Sequence, residues 1–124
     1  MEGTAAIDRW LEGYIEAWST DAPEDIAPLF AVDALYYTTP FSQPHVGVDD
    51  IVAWWREQGD STTEWTFVYD AVAREGDLYV VRGVTRYPAS ADSEQARVYH
   101  NIWLVTLNEE GKATEFVEYW MLER

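Results

Sequence analysis

The sequence predicts an α+β fold in which three helices are followed by a long antiparallel sheet. Apolar residues recur at helical spacing near the start of the chain and again near residue 50, whereas from Thr62 onward the pattern is that of strands and turns. The 124 residues are 48% hydrophobic and 15% aromatic, so we expect one core and one domain over residues 1–124. A strongly twisted sheet can curl around helices and enclose a cavity for a small molecule.

The helices are predicted from apolar spacing and from the positions of proline. The first helix covers about residues 4–19, and its apolar stripe consists of Ile7, Trp10, Leu11, Tyr14, Ile15 and Trp18. Pro23 suits the first turn of a second, short helix. In a third helix over about residues 48–58, Trp54 and Trp55 are adjacent, so one packs in the core and the other lines or covers the cavity.

The strands are predicted from alternating side chains and from their β-branched and aromatic content. They cover residues 34–39, 63–74, 78–87, 97–107 and 112–121. Proline and glycine predict loops at residues 41–47 and 88–94.

The composition argues against several classes of partner. A net charge of −15, with only eight Lys and Arg, leaves no basic cluster for nucleic acid. No apolar run approaches the ~20 residues of a membrane helix, and the acidic start lacks a signal-peptide pattern, so we expect a soluble, cytoplasmic protein. Because the chain has no Cys, no Gly-rich phosphate loop and no ligand cluster, we expect neither a nucleotide cofactor nor a metal.

The last predicted hairpin places an acid among aromatic rings. A four-residue turn would align three pairs on one face, namely Tyr99 with Trp120, Asn101 with Glu118, and Trp103 with Phe116. A carboxylate among rings is costly to bury without partners, so Glu118 is a candidate for chemistry at a pocket. The alternative is an exposed sheet face on which Glu118 meets water.

The preceding hairpin, around Glu75 and Gly76, predicts a second charge on an aromatic face. With a loop of two or four residues, Arg82 lies opposite Tyr69 and shares a face with Phe67. The alternative is an exposed arginine stacked on Tyr69.

On the first helix, Tyr14 and Trp18 lie one turn apart and face the sheet. Their polar tips need partners if they are buried, and Glu118 and Asn101 could supply them. The alternative for both residues is ordinary core packing.

The order of elements, together with three segments, resembles the nuclear transport factor 2-like superfamily. The segments are residues 26–37 (IAPLFAVDALYY), 46–51 (VGVDDI), and 111 with 115–120 (G and EFVEYW). Members include SnoaL-like polyketide cyclases, ketosteroid isomerase, limonene-epoxide hydrolase and scytalone dehydratase. The resemblance implies a cone-shaped fold, in which a curved antiparallel sheet wraps around three N-terminal helices, and a homodimer formed through the outer sheet face.

The resemblance also implies roles for single residues. The tyrosine of ketosteroid isomerase that donates a hydrogen bond to the oxyanion matches Tyr14. The two acids of that enzyme fall on Thr38 or Thr39 and on Trp103, so its mechanism is not expected. The arginine and one acid of limonene-epoxide hydrolase match Arg82 and Glu118. Its tyrosine and asparagine match Tyr36 and Thr38, whereas its second aspartate falls on Val84.

We therefore expect a pocket for a small apolar or aromatic molecule and acid–base chemistry without a cofactor, such as cyclisation, isomerisation, dehydration or hydrolysis. Glu118 would be the general base, Asn101 and Tyr14 would orient the substrate or stabilise an oxyanion, and Arg82 would pair with Glu118 or bind an acidic group. The expected ligand-binding residues are Trp18, Tyr36, Thr38, Trp54, Phe67, Tyr69, Tyr99, Trp103, Phe116 and Trp120. Two alternatives are a binding protein with the same pocket and an interaction module that uses the outer sheet face around His100 and Tyr119.

Overall fold

A computed structural model describes residues 3–58, 64–89 and 95–124. The helices are α1 (Ala5–Thr20), α2 (Pro23–Ile26), a 3₁₀ turn (Ala27–Leu29) and α3 (Val48–Gln58). The strands are β1 (Phe30–Tyr37), β2 (His45–Val46), β3 (Thr66–Glu75), β4 (Leu78–Tyr87), β5 (Arg97–Leu107) and β6 (Ala113–Leu122).

The six strands form one mixed sheet in the order β2-β1-β6-β5-β4-β3. All pairs are antiparallel except β1 with β6, which run parallel. The predicted α+β class and all three helices are confirmed, whereas β2 lies in a segment predicted to be a loop. The predicted loop over 88–94 lies outside the described residues from residue 90 onward. No helix within the described ranges is both long enough and apolar enough to cross a membrane.

The core forms where the apolar stripe of α1 packs against one face of the sheet. Tyr14 is central, because its ring lies 4.7 Å from that of Trp103 and 5.7 Å from that of Phe116, measured between centroids. Trp10 donates its indole N–H to the Leu29 carbonyl oxygen at 2.8 Å, which ties α1 to the turn after α2. The helix is thus fixed across the sheet by ring packing and a buried hydrogen bond.

The β5–β6 hairpin has the predicted shared face but not the predicted register. Trp103 lies opposite Glu118 and not opposite Phe116. The turn has five residues instead of four, because Leu107 pairs with Ala113. Next to this pair, a β-bulge adds one further residue to β6, so that Thr106 pairs with Glu115. The two additions shift the pairing by two residues, so every side chain keeps its predicted face. The other corrected pairs are Asn101 with Trp120, Tyr99 with Leu122, and Val105 with Phe116.

The predicted register of the β3–β4 hairpin is wrong by one residue, and this error reverses the position of Arg82. A β-bulge between Ala71 and Ala73 adds a residue to β3, so Arg82 lies opposite Asp70 and not opposite Tyr69. A slip of one residue moves a side chain to the other face. Arg82 is therefore exposed on the sheet face opposite the helices.

Candidate functional site

A cavity of about 290 Å³ opens between α1, α3 and the inner face of the sheet. Five tryptophans and four tyrosines line it, namely Trp18, Trp54, Trp55, Trp103, Trp120, Tyr14, Tyr36, Tyr87 and Tyr99. The polar lining consists of Asp21, Gln58, Thr85, Asn101 and Glu118. An apolar cavity with a few convergent polar groups is the usual form of a small-molecule site.

One oxygen of Glu118 is held by two side-chain donors from β5. Asn101 Nδ2 donates to Glu118 Oε2 at 2.9 Å, and Trp103 Nε1 donates to the same oxygen at 2.8 Å. The contacts arise because Trp103 lies directly opposite Glu118, with Asn101 diagonal to it. Within the described ranges no donor contacts Oε1, so this oxygen is available to a substrate or a water molecule.

The amide of Asn101 is fixed in turn by β4. Thr85 Oγ1 donates to Asn101 Oδ1 at 2.9 Å, and both residues are buried, with exposed fractions of 3% and 6%. With its oxygen turned toward Thr85, the amide presents its NH₂ group to Glu118. A chain of hydrogen bonds across three strands thus sets the position of the carboxylate.

The surroundings of Glu118 favour its protonated form. Burial among aromatic rings raises the pKa of Glu118 above its ordinary value, and the hydrogen bonds from Trp103 and Asn101 oppose part of that rise. A carboxyl group with a raised pKa can accept and return a proton nearer to neutral pH than an exposed one can.

A pair of phenols forms a second polar element of the cavity wall. The hydroxyls of Tyr14 on α1 and Tyr36 on β1 lie 2.8 Å apart. Tyr36 stacks on Phe116 at 4.5 Å, and Tyr14 packs against Trp55 at 4.8 Å, so both rings are held rigidly. Either hydroxyl can be the donor in this pair.

The comparisons with known proteins place this architecture in a family. Residues 11–116, most of the chain, match the SnoaL-like domain. The chain belongs to the SnoaL-like family. The predicted resemblance to the nuclear transport factor 2-like superfamily is thereby confirmed, whereas Glu118 lies just beyond the matched residues. No curated protein matches the chain in sequence.

Among the solved structures whose fold is similar to that of this chain, three have 14%, 17% and 19% sequence identity with it. The epoxide hydrolase/cyclase-like enzyme SalBIII, which has a role in pyran ring formation in the polyether salinomycin, has a TM-score of 0.75 and 14% sequence identity. The match covers 98% of this chain and 95% of that chain. A hypothetical protein with a ketosteroid isomerase-like fold from Catenulispora acidiphila, in complex with trimethylamine, has a TM-score of 0.71 and 17% sequence identity. The match covers 89% of this chain and 83% of that chain. An uncharacterized protein with a cystatin-like fold from Caulobacter vibrioides has a TM-score of 0.71 and 19% sequence identity. The match covers 98% of this chain and 91% of that chain.

Most of the residues predicted for the site line the SnoaL-like cavity. They are Tyr14, Trp18, Tyr36, Trp54, Tyr99, Asn101, Trp103, Glu118 and Trp120. The hydrogen bonds of the site join β4, β5 and β6 to one another and Tyr14 to Tyr36. The contacts from Tyr14 to Glu118 and from Trp18 to Asn101 stay predictions.

Five predicted site residues do not line the cavity. Arg82 faces away from it because of the bulge in β3, and it can neither pair with Glu118 nor bind a ligand there. Phe116 is fully buried behind Tyr14 and Tyr36. Phe67 stacks on Trp103 at 4.8 Å and so supports the wall from behind. The remaining two are Thr38 and Tyr69.

The sequence analysis missed several cavity residues. Both Trp54 and Trp55 line the cavity, where only one was expected to do so. Asp21 ends α1 in the left-handed conformation with φ 53 and lies at the cavity. Thr85 and Tyr87 share the inner face of β4, and the correct register would have identified them.

The two histidines lie outside the cavity lining. His100 is exposed on the outer sheet face, as predicted, and its Nε2 lies 2.7 Å from Glu123 Oε2. His45 stacks on Trp54 at 4.9 Å, with its Nδ1 3.6 Å from Asp50 Oδ2. In the described part of the chain, no three His, Asp or Glu side chains converge as metal ligands.

Proposed function

We propose that this SnoaL-like chain is a cofactor-independent acid–base enzyme that acts on a small, largely apolar or aromatic molecule. The observation that carries the proposal is the carboxyl group of Glu118, which lines an aromatic cavity with one oxygen held by two N–H donors. Its raised pKa and open Oε1 are properties of a general base. The reaction classes that use such a base here are cyclisation, isomerisation, dehydration and hydrolysis.

In the proposed mechanism, Glu118 Oε1 takes a proton from the bound substrate. Asn101 and Trp103 keep the carboxylate oriented, and they stabilise its charged form until the proton arrives. Tyr14, with Tyr36 as its hydrogen-bond donor, stabilises negative charge that develops on a substrate oxygen. The protonated Glu118 then returns the proton to another substrate atom, so the cycle closes without a cofactor.

The test compares Glu118→Gln with Glu115→Gln, which makes the same substitution at an exposed residue of the same strand. The amide introduced by Glu118→Gln keeps an oxygen for both N–H donors but cannot take a proton. Turnover of small apolar ketones and epoxides, followed by NMR in D₂O, should fall by about 10²- to 10⁴-fold for Glu118→Gln and remain normal for Glu115→Gln. If both variants turn over substrate like the wild type, Glu118 is not the base.

A second candidate function is ligand binding without catalysis. It is favoured by the Catenulispora acidiphila neighbour, whose structure holds trimethylamine. In that case Glu118, Asn101 and Thr85 form a static polar network that positions a ligand. Isothermal titration would then detect binding to the wild type while no product forms.

We also propose that the chain forms a homodimer through its outer sheet face. A broad groove there contains strongly exposed apolar side chains, among them Phe41 at 88%, Met121 at 73% and Val68 at 65%. Exposed apolar patches of this kind commonly mark interfaces between proteins. Met121→Glu should convert a dimer into a monomer in sedimentation equilibrium, whereas a wild type that is monomeric at micromolar concentration would contradict this proposal.

A further inference from the structure

We infer that the cavity takes a ligand that carries a methylated ammonium group, with its positive charge enclosed by the aromatic rings and opposed by cavity carboxylates. This inference rests on the proposed small-molecule function of the cavity, and it specifies the substrate class. Three features of the structure support it: the charge of the lining, the kind of ring that forms it, and its size.

The charge of the lining has one sign. The described lining includes two carboxyl groups, those of Asp21 and Glu118, and no Lys, Arg or His. Residues 59–63 and 90–94 contain no basic residue either. With Arg82 on the outer face, an anionic ligand would have no countercharge in the cavity, whereas a cation would have two.

The aromatic lining has the composition of a site for methylated cations. Indole rings attract cations most strongly of the aromatic side chains, with phenol rings next, and enclosures of such rings recognise quaternary ammonium groups. Trp54, Trp55 and Trp18 surround the helical side of the cavity, and Tyr99 and Trp120 lie at 5.7 Å from each other on the sheet side. In a methylated ammonium ligand, the methyl groups would pack against the apolar lining, and the positive charge would be attracted by the aromatic rings.

The size of the cavity also fits. A volume of about 290 Å³ is at the small end of ligand pockets. A space of this size admits a trimethylammonium group together with the short chain that carries it. The net charge of −15 adds a long-range field that draws cations toward the protein.

The position of Glu118 makes binding of such a ligand dependent on pH. Burial raises the pKa of Glu118, and an ammonium group beside it would favour the ionised form, so binding should release a proton and tighten as the pH rises through that pKa. The other titratable groups of the described lining are the Asp21 carboxyl at the end of α1 and the hydroxyls of Tyr14, Tyr36, Tyr87 and Tyr99.

The experiment measures binding of choline and of dimethylbutanol, its uncharged isostere with carbon in place of the nitrogen, by titration calorimetry and tryptophan fluorescence. We expect the wild type to bind choline at least about tenfold more tightly than the isostere. Glu118→Gln and Asp21→Asn should each weaken choline binding, and Glu118→Gln should also abolish the proton release. Asn tolerates the left-handed conformation of residue 21, so the fold is kept.

The matched control is Asp70→Asn, which removes the same charge from the outer sheet face. It should leave choline binding unchanged. Equal affinity for choline and the isostere, absence of choline binding, or equal weakening by Asp70→Asn would each overturn the inference of a cation site. The proposed acid–base function would survive these results, because its own test is the turnover of neutral substrates by Glu118→Gln.

Discussion

Replacing Thr85 by Val removes one hydroxyl from the interior and leaves the shape of the side chain almost unchanged. In the wild type this hydroxyl donates to Asn101 Oδ1 at 2.9 Å, and the two residues are only 3% and 6% exposed. A buried acceptor that loses its donor costs about 1–3 kcal/mol, so we expect Thr85→Val to lower the free energy of unfolding by that amount in urea denaturation.

The same change should alter the chemistry of Glu118. Without Thr85 the Asn101 amide can rotate and turn its oxygen toward the carboxylate, which replaces a stabilising N–H donor by a repelling oxygen. The pKa of Glu118 then rises further, and the acidic limb of the pH–rate profile moves to higher pH. Both effects follow from the loss of one hydroxyl.

Thr85→Ser separates these effects from simple packing. It keeps the hydroxyl and loses a methyl group, so it should cost about 0.8 kcal/mol in stability while leaving the pH–rate profile in place. The reasoning is refuted if Thr85→Val is as stable as the wild type, or if the Val and Ser variants have the same pH–rate profile.

Two further predictions concern stability. Glu118→Gln removes a carboxyl whose folded pKa lies above the ordinary value of 4.5, so the wild type should lose stability relative to this variant as the pH rises from below 4.5 through the raised pKa. Urea midpoints of both proteins across this range measure the divergence, and a change in the opposite direction would mean that the folded pKa is lowered. Gly83→Ala adds a Cβ that overlaps the ring of Phe67, which is stacked on Trp103, and should cost about 1–3 kcal/mol in the unfolding free energy. Adding Phe67→Leu should recover part of this loss in thermal denaturation; if the double variant is less stable still, the overlap is not the cause.

The sequence was sufficient to predict the elements and the inner face of the last hairpin. The helical spacing of α1 and the alternation in β5 and β6 are local patterns, so they predict Tyr14, Asn101 and Glu118 on surfaces that face each other. The predicted register of β5 and β6 was wrong by two residues, yet the predicted faces of their side chains were correct. A shift by an even number of residues leaves each side chain on the same face of the sheet.

Arg82 could not be placed from the sequence, because its face depends on a single bulge. Nothing in the residues Ala71, Val72 and Ala73 distinguishes a regular strand from a bulged one, yet the extra residue reverses the face of everything before it. The position of Asp21 was missed for a related reason. Where a helix ends relative to a cavity depends on tertiary packing, which apolar spacing does not report.

The parallel pairing of β1 with β6 has a consequence for how this chain folds. Phe30 pairs with Ala113, so the pairing that joins β1 and β2 to the rest of the sheet brings together segments about eighty residues apart. The pairings β3–β4, β4–β5 and β5–β6 each join strands that are adjacent in sequence, and such local hairpins form early, whereas closing a long loop is slow. We therefore expect a meander of four strands to assemble first, with the aromatic side of α1 exposed until β1 docks. During that interval the rings that later enclose the cavity are the surface most prone to aggregation.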